Sequence, residues 1–474
     1  MVKRKKPLPK TQLETLPPAK LDASEQARLD ALKQARLKAL AKARQILATQ
    51  ADSEKDLLLD IDGDCRTLAQ LPSMGAPSSN IVAITSGLDY CLVRINANLT
   101  LDRLYGPNGN GYLLDSYGDQ WGVNSATSLM LTHGQTTLLG AYFSFFDGID
   151  LPAAARYNDG GYLNERFADK GKAVIPLPPP ALDGATQQAP ASTTLAYFFE
   201  NIDQSTGHGP ATLIRLTDEG RLDPQFNQQG FAEVTYRGLA LKPRGVVVQA
   251  DQKLLVYGGT RDLVDGKELA IIARYNADGT QDMRFSGSGY VAIAPFKYFG
   301  GLVATDSGGL FAVALSSKGQ IGLWQGTARV QPGKPSQDAP EPDCSGINLA
   351  LPLVVERICA LHSQVVDGQT RLLVTGVCQK PNENNVQQPY GFIARFTLDG
   401  GLDTSFNGTG YHIAEHKSYY FDLMVEAYSK LTVVGSLSID NVEFPWLRRF
   451  GPNGEGAAPK KDTQEQETSP VPAH

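Results

Sequence analysis

The sequence predicts an all-β chain folded as a β-propeller, with an α-helical arm in front of it. Three observations carry this prediction. A signature of fixed spacing recurs about every sixty residues. Each repeat holds four short apolar runs parted by turn residues, the makeup of a propeller blade. The one long helical pattern lies before the first repeat.

The signature is an apolar strand ending in Arg, a turn with Gly, then Asp, an aromatic and a second Gly. Counted from the Arg, Gly falls at +5, Asp at +8, the aromatic at +11 and Gly at +15. The full set is Arg215, Gly220, Asp223, Phe226 and Gly230, then Arg274, Gly279, Asp282, Phe285 and Gly289, then Arg395, Gly400, Asp403, Phe406 and Gly410. Arg156 keeps Gly161, Phe167 and Gly171 but has Asn164 for the Asp, and Arg94 keeps Asp102 with Tyr105 as the aromatic. Arg449 opens a last copy with Gly454. The interval from Arg274 to Arg395 spans about two periods, so a degraded copy is expected near Ile321-Gly322-Leu323-Trp324.

These residues resemble the delta-60 repeat family, bacterial propeller-type repeats with a signature close to A-R-x-x-x-D-G-x-L-D-x-x-F-x-x-x-G. The resemblance covers roughly residues 80–455. It implies a propeller and brings no catalytic residues with it.

Between signatures the pattern is strand-like. Phe231–Thr235, Gly245–Gln249, Lys253–Tyr257 and Leu269–Arg274 are β-branched or apolar runs too short for helices. The period gives seven blades as the preferred count, one of them incomplete or closed by terminal residues, with six blades and an extra hairpin as the alternative. Each signature position has a structural role to fill. Asp278-Gly279 and Asp399-Gly400 suit tight turns. The Asp at +8 can cap the turn or pair with the Arg, and the aromatic at +11 is large enough to pack between blades.

The appendages read differently. Residues 1–21 form a basic tail, 22–58 a helical arm whose helix covers about 22–48, 65–455 the propeller and 456–474 a polar tail expected to be disordered. Leu29, Leu32, Leu40 and Leu47 lie near one helix face, flanked by Leu37 and Ile46. That face can pack on the propeller or pair with a partner's helix. Since the repeats begin near residue 80, the arm is expected to be dispensable for folding. Pro176–Ala191 and Gln331–Pro342 read as loops inserted into blades.

Net charge is −6, yet residues 1–44 carry 12 Lys/Arg against 4 Asp/Glu. A basic arm on an acidic body can seek nucleic acid or an anionic membrane, but basic tails are commonly just solvated, so nucleic acid is disfavoured. No apolar run follows the basic start, and no stretch approaches a transmembrane length. Five scattered cysteines make no disulfide framework and no zinc motif. The expected location is cytoplasmic, or outside the cell by a route without a cleavable N-terminal signal.

The search for chemistry yields no nucleophile elbow, P-loop or dinucleotide fingerprint, and no catalytic residue, metal or cofactor is assigned. His412 and His416 read as a solvated pair, and Asp60–Asp64 as a turn that resembles part of a calcium loop. Asp147 with Asp150, and Glu200 with Asp203, keep open a carbohydrate-active enzyme, since propeller glycosidases use convergent carboxylates. The preferred function is a non-catalytic platform for a protein or glycan. A structural subunit docked through the helix is the other alternative. The candidate binding residues are Tyr298-Phe299 and Tyr419-Tyr420, which fall at +24 and +25 from Arg274 and Arg395. The equivalent Leu239-Ala240 and Pro180-Ala181 lack the rings, which points to a local patch.

Overall fold

The computed structural model describes residues 23–49 and 56–454, apart from 62, 72–78, 87, 119–121, 133, 146–148, 176–194, 201–210, 262–265, 306–308, 328–346, 350, 383 and 427–428. The expectations for both tails and for the two Pro-rich stretches fall outside the described residues.

The protein is an all-β, seven-bladed propeller with one N-terminal helix, Ala23–Thr49. Each blade is an antiparallel sheet, named here from the inner strand outward. Blade 1 is Asp64–Gln70, Asn80–Ser86, Asp89–Ile95 and Tyr112–Asp115, and blade 2 is Gly122–Thr132, Gln135–Ser144, Ile149–Asn158 and Lys172–Val174. Blade 3 is described for Leu195–Glu200, Ala211–Leu216 and Phe231–Tyr236, its second, third and outer strands, with Leu239–Ala240 paired at the outer edge. Blade 4 is Lys242–Val248, Leu254–Arg261, Glu268–Tyr275 and Tyr290–Ile293. Blade 5, the degraded copy, is Phe296–Ala304, Gly309–Ser316, Ile321–Thr327 and Ile347–Leu349. Blade 6 is Val354–Val366, Gln369–Pro381, Gln387–Phe396 and Tyr411–Ile413.

Blade 7 closes the ring. Its inner three strands are Ser418–Val425, Leu431–Ile439 and Val442–Phe450, and its outer strand is Asp56–Leu58 from the start of the chain. The sequence pattern alone places residues 56–58 in the helical arm, and pairing with blade 7 makes them a strand instead. Asp56 pairs with Arg448, Leu57 with Leu447 and Leu58 with Trp446. The Asp56 carboxylate also accepts from Trp446 Nε1 at 2.8 Å.

The signature residues form one construction repeated around the ring. The Arg ends the third strand, and its Nε meets the Asp at +8 in Arg94–Asp102 (2.6 Å), Arg215–Asp223 (2.8 Å), Arg274–Asp282 (2.9 Å) and Arg395–Asp403 (2.9 Å). The guanidinium of Arg156, Arg215, Arg274 and Arg395 also lies over the aromatic at +11, 4.4 to 5.1 Å from the ring centre. Its Nη1 crosses to a carbonyl of the next blade's turn: Arg94 to Asp159, Arg156 to Asp218 (2.6 Å), Arg215 to Ala277, Arg395 to Pro452 (2.7 Å). Arg449 reaches Ala97 of blade 1, which completes the circle. In degraded blade 5 the register puts Gln325 opposite Phe311, where other blades have the Arg, and its amide donates to Leu398 of blade 6.

The Gly at +5 sits on the previous blade's aromatic. A Cβ on Gly220 would lie 2.7 Å from Phe167, and one on Gly279 3.0 Å from Phe226. Both glycines also have φ near +80°, so they serve the turn and the contact at once. Burial opposes ionisation of Asp282, but the hydrogen bond from Lys253 and the charge of Arg274 hold its carboxyl below the usual range.

The helix is not a detached arm. Ala39, Leu40, Ala43 and Leu47 are buried against Phe444 and the core of blade 7. The Arg36 guanidinium lies 4.8 Å over the Phe444 ring and donates to the Ile61 carbonyl at 2.8 Å. Leu32 and Leu37 are exposed, so the packed face joins Leu40 and Leu47 of the leucine row with Ala39 and Ala43. Small residues let the helix approach the sheet closely, which a count of leucines does not register.

His412 is buried in the outer strand of blade 6, its ring 5.1 Å from that of Phe450, and is not part of a solvated pair. Burial, helped by the Arg448 charge, lowers its pKa to about 3. An unfolded His protonates below about 6.5, while the folded one stays neutral. Stability is therefore unaffected above that pH and falls below it, by up to about 1.4 kcal/mol per pH unit until about 3. Unfolding free energies at pH 7.5 and 5 should show this loss, and His412→Phe should reduce it. An unchanged difference in the variant would place the acid sensitivity elsewhere.

Candidate functional site

The signature turns join third strands to outer strands, so they gather on one face of the ring. Inner strands begin on the opposite face, because in an antiparallel blade they run parallel to the third strands. There, around the axis, the described inner strands share an irregularity. Every one of them carries a β-bulge in its first half or at its middle.

The bulges at this shared level fall at Arg66 in blade 1, Thr127 in blade 2, Arg244 in blade 4, Gly300 in blade 5, Cys359 in blade 6 and Phe421 in blade 7, and blades 5 and 6 have a further bulge at Lys297 and Glu356. In four blades the second strand has a glycine at this level. A Cβ on Gly140, Gly258, Gly376 or Gly435 would lie 1.8 to 2.1 Å from an inner-strand carbonyl. The glycine lets the inner strand press close and bend, and the bulge re-aims its side chain toward the axis. These glycines precede the signature Arg by 14 to 19 positions. They are the sequence signal by which the ring could have been found.

The mouth that results alternates arginines with aromatics. Going round, blade 4 supplies Arg244, blade 5 Tyr298, blade 6 Arg357, blade 7 Tyr419 and Phe421, and blade 1 Arg66. The Arg244 guanidinium lies 4.3 Å over Tyr298, and that of Arg66 5.0 Å over Phe421. Tyr419 and Phe421 stack with centroids 6.0 Å apart and planes 3° from parallel. Arg66 pairs with Asp64 at 2.8 Å. Arg244 and Arg357 are exposed and form no ion pair with any described carboxylate.

Below the arginines lies a polar floor. Cys359 has as electrostatic neighbours Arg357, Asp422, Arg244 and Arg66, which come from four blades and so face one another across the axis. Burial pushes its thiol up to about 12, with the arginines drawing it down and Asp422 raising it, so it is a thiol and not a nucleophile at neutral pH. Asp422 accepts from Thr67 Oγ1 at 2.9 Å and from the Leu68 amide at 3.2 Å, with His362 Nε2 3.8 Å away. Tyr257 belongs to a second strand, yet its hydroxyl lies over Gly245, where a Cβ would come within 2.1 Å of it. The missing side chain lets the phenol reach toward the axis, where Asp422 adds to burial in raising its pKa to about 12.

The four aromatics singled out in the sequence separate here. Phe299 and Tyr420 are fully buried in the core, where Phe299 packs on Trp324 and Tyr420 on Trp446. Tyr298 and Tyr419 are partly exposed at the channel mouth. All four lie in inner strands rather than in strand connections, and alternation along each strand turns one ring of a pair inward. Asp150 is exposed at the start of the third strand of blade 2, while Asp147, Asp203 and the side chain of Glu200 are outside the described residues. Asp64 carries the Arg66 ion pair and accepts from Ser436 at 3.0 Å. Among the described residues no three His, Cys, Asp or Glu side chains cluster as a metal site, and no helix is long and apolar enough to cross a membrane.

A family described as a domain of unknown function (DUF5122) beta-propeller matches residues 249–285, from the inner edge of blade 4 to its signature aromatic. No curated protein matches the sequence. Among solved structures, the β-propeller domain of the trilobed protease from Pyrococcus furiosus is similar at 9% identity and a TM-score of 0.36, over 84% of this chain and 99% of that one. The phage phi92 endosialidase is similar at 9% identity and 0.38, over 88% and 71%. The soluble aldose sugar dehydrogenase from Escherichia coli is similar at 12% identity and 0.31, over 83% and 98%. The likeness in each case is one of fold.

Proposed function

We propose that this chain is a non-catalytic propeller that binds a protein or glycan partner through the face carrying the channel mouth. On their signature we assign its repeats to the delta-60 type, and the matched stretch in blade 4 supports that assignment. The observation that carries the functional reading is the ring of bulges. A bulge disturbs the ladder and leaves a residue unpaired, so repeating it in each described inner strand has a cost that packing alone does not require. Three bulges present Arg66, Arg244 and Phe421, and Tyr298, Arg357 and Tyr419 stand two residues before the bulges of blades 5, 6 and 7. Arginines and aromatics are the residue types that dominate binding surfaces. The opposite face is occupied by the signature turns that hold the ring together.

Affinity capture with the full chain tests this reading. A bait carrying Arg244→Glu and Arg357→Glu should lose partners that the unaltered bait retains. Identical partner sets from both baits would remove the mouth as the binding surface. Turnover of a glycoside by the chain, lost in Asp422→Asn, would replace the platform with an enzyme.

A further inference from the structure

We propose that the channel mouth takes a carboxylated sugar, its carboxylate on the Arg244 and Arg357 guanidinia and its hydroxyls on the polar floor. This rests on the reading of the mouth as a binding surface and names the chemistry of what it binds. Of the three rim arginines Arg66 is paired with Asp64, which leaves two cations for an incoming anion. Arg244 and Arg357 face the axis from blades 4 and 6 with no described carboxylate in ion-pair range, and Cys359 between them feels both charges. The planar fork of a guanidinium matches a carboxylate bidentately.

The floor distinguishes a sugar acid from a bare carboxylate. Asp422 is an acceptor at the axis with the Thr67 hydroxyl donating to it at 2.9 Å and His362 Nε2 3.8 Å away, and the Tyr257 phenol feels its charge. A ligand with hydroxyls a few bonds from its anionic end can reach these groups while its carboxylate sits on the arginines. Asp422 already accepts from Thr67, the Leu68 amide and the Leu423 amide, so it is held in place as a fixed acceptor, and a carboxylate oxygen has lone pairs left for a further donor such as a sugar hydroxyl. The interleaved rings of Tyr298, Tyr419 and Phe421 give the mouth apolar walls suited to the C–H face of a pyranose.

Calorimetric titration of the full chain with glucuronate, galacturonate and their short oligomers tests the assignment. Glucose and N-acetylglutamate serve as the neutral and the hydroxyl-free comparisons. Uronates should bind at least ten-fold more tightly than either comparison. Arg244→Gln and Arg357→Gln should each weaken uronate binding ten-fold or more, with circular dichroism melts confirming that these exposed changes leave the fold intact. Arg221→Gln, on the signature face, should bind as the unaltered chain does. Glucose binding equal to uronate binding would overturn the carboxylate contact, and uronate affinity unchanged in both arginine variants would overturn the site. N-acetylglutamate binding as tightly as uronate would overturn the sugar. If no uronate binds while partner capture still depends on Arg244 and Arg357, the sugar is wrong and the platform reading stands.

Discussion

Arg395→Met is expected to lower the free energy of unfolding by about 3–5 kcal/mol, the range for breaking a buried charge pair. The Arg395 side chain is fully buried and contacts five other residues besides the Phe406 ring. It meets Asp403 at 2.9 Å, lies over Phe406, and donates to Gln364, Ser405, the Pro452 carbonyl and Asn453. Methionine replaces the stem but none of the donors, so Asp403, Ser405 and Asn453 lose a partner together, while the Pro452 carbonyl keeps the Gln364 amide at 2.9 Å. Arg371 still holds Asp403 at 2.9 Å and limits the damage there. Arg94→Met should cost less, about 1.5–3 kcal/mol for a partly solvated charged hydrogen bond, because the Arg94 side chain is 17% exposed. Denaturant unfolding of the two variants gives the comparison. Equal losses would mean that burial of the arginine is not what sets its worth.

Truncation at the N-terminus should show two steps. A chain starting at residue 51 loses the helix, including the buried Leu40 and Leu47 side chains. At about 1.5–3 kcal/mol for each large buried side chain, the expected loss is about 3–6 kcal/mol, with the ring still closed. The propeller is thus still expected to fold without the arm, but at lower stability. A chain starting at residue 62 also loses the outer strand of blade 7. It leaves the third-strand edge of Val442–Phe450 unpaired, with Arg448 and Trp446 deprived of Asp56. An exposed edge of this kind recruits other chains. The longer truncation should therefore associate or precipitate, whereas the shorter one stays monomeric with a lower melting temperature. Two soluble monomers of equal stability would show that Asp56–Leu58 does not close the ring.

How far the sequence could be read depended on whether a feature was local. The signature is local: Arg, Gly, Asp and aromatic lie within a few turns of chain, and their offsets repeat because each blade builds the same turn. That was enough for the architecture, for the preferred count of seven and for the degraded copy near Ile321. It was not enough for the closing strand, since the three residues Asp56–Leu58 carry no pattern of their own and become a strand by pairing with the third strand of blade 7. Nor could it orient Tyr298 and Phe299, because a bulge on each side of this pair shifts the alternation that a periodicity argument counts on.

What the sequence alone determined, then, is the unit and its repetition: a four-stranded blade latched by an arginine. Only the tertiary structure decided what lies at the axis. Arg66, Arg244, Arg357 and Asp422 are separated by up to 356 positions along the chain, and they meet because seven sheets arranged in a circle bring their inner edges together. Closure of the ring is a property of all blades at once, and no single segment of sequence carries it.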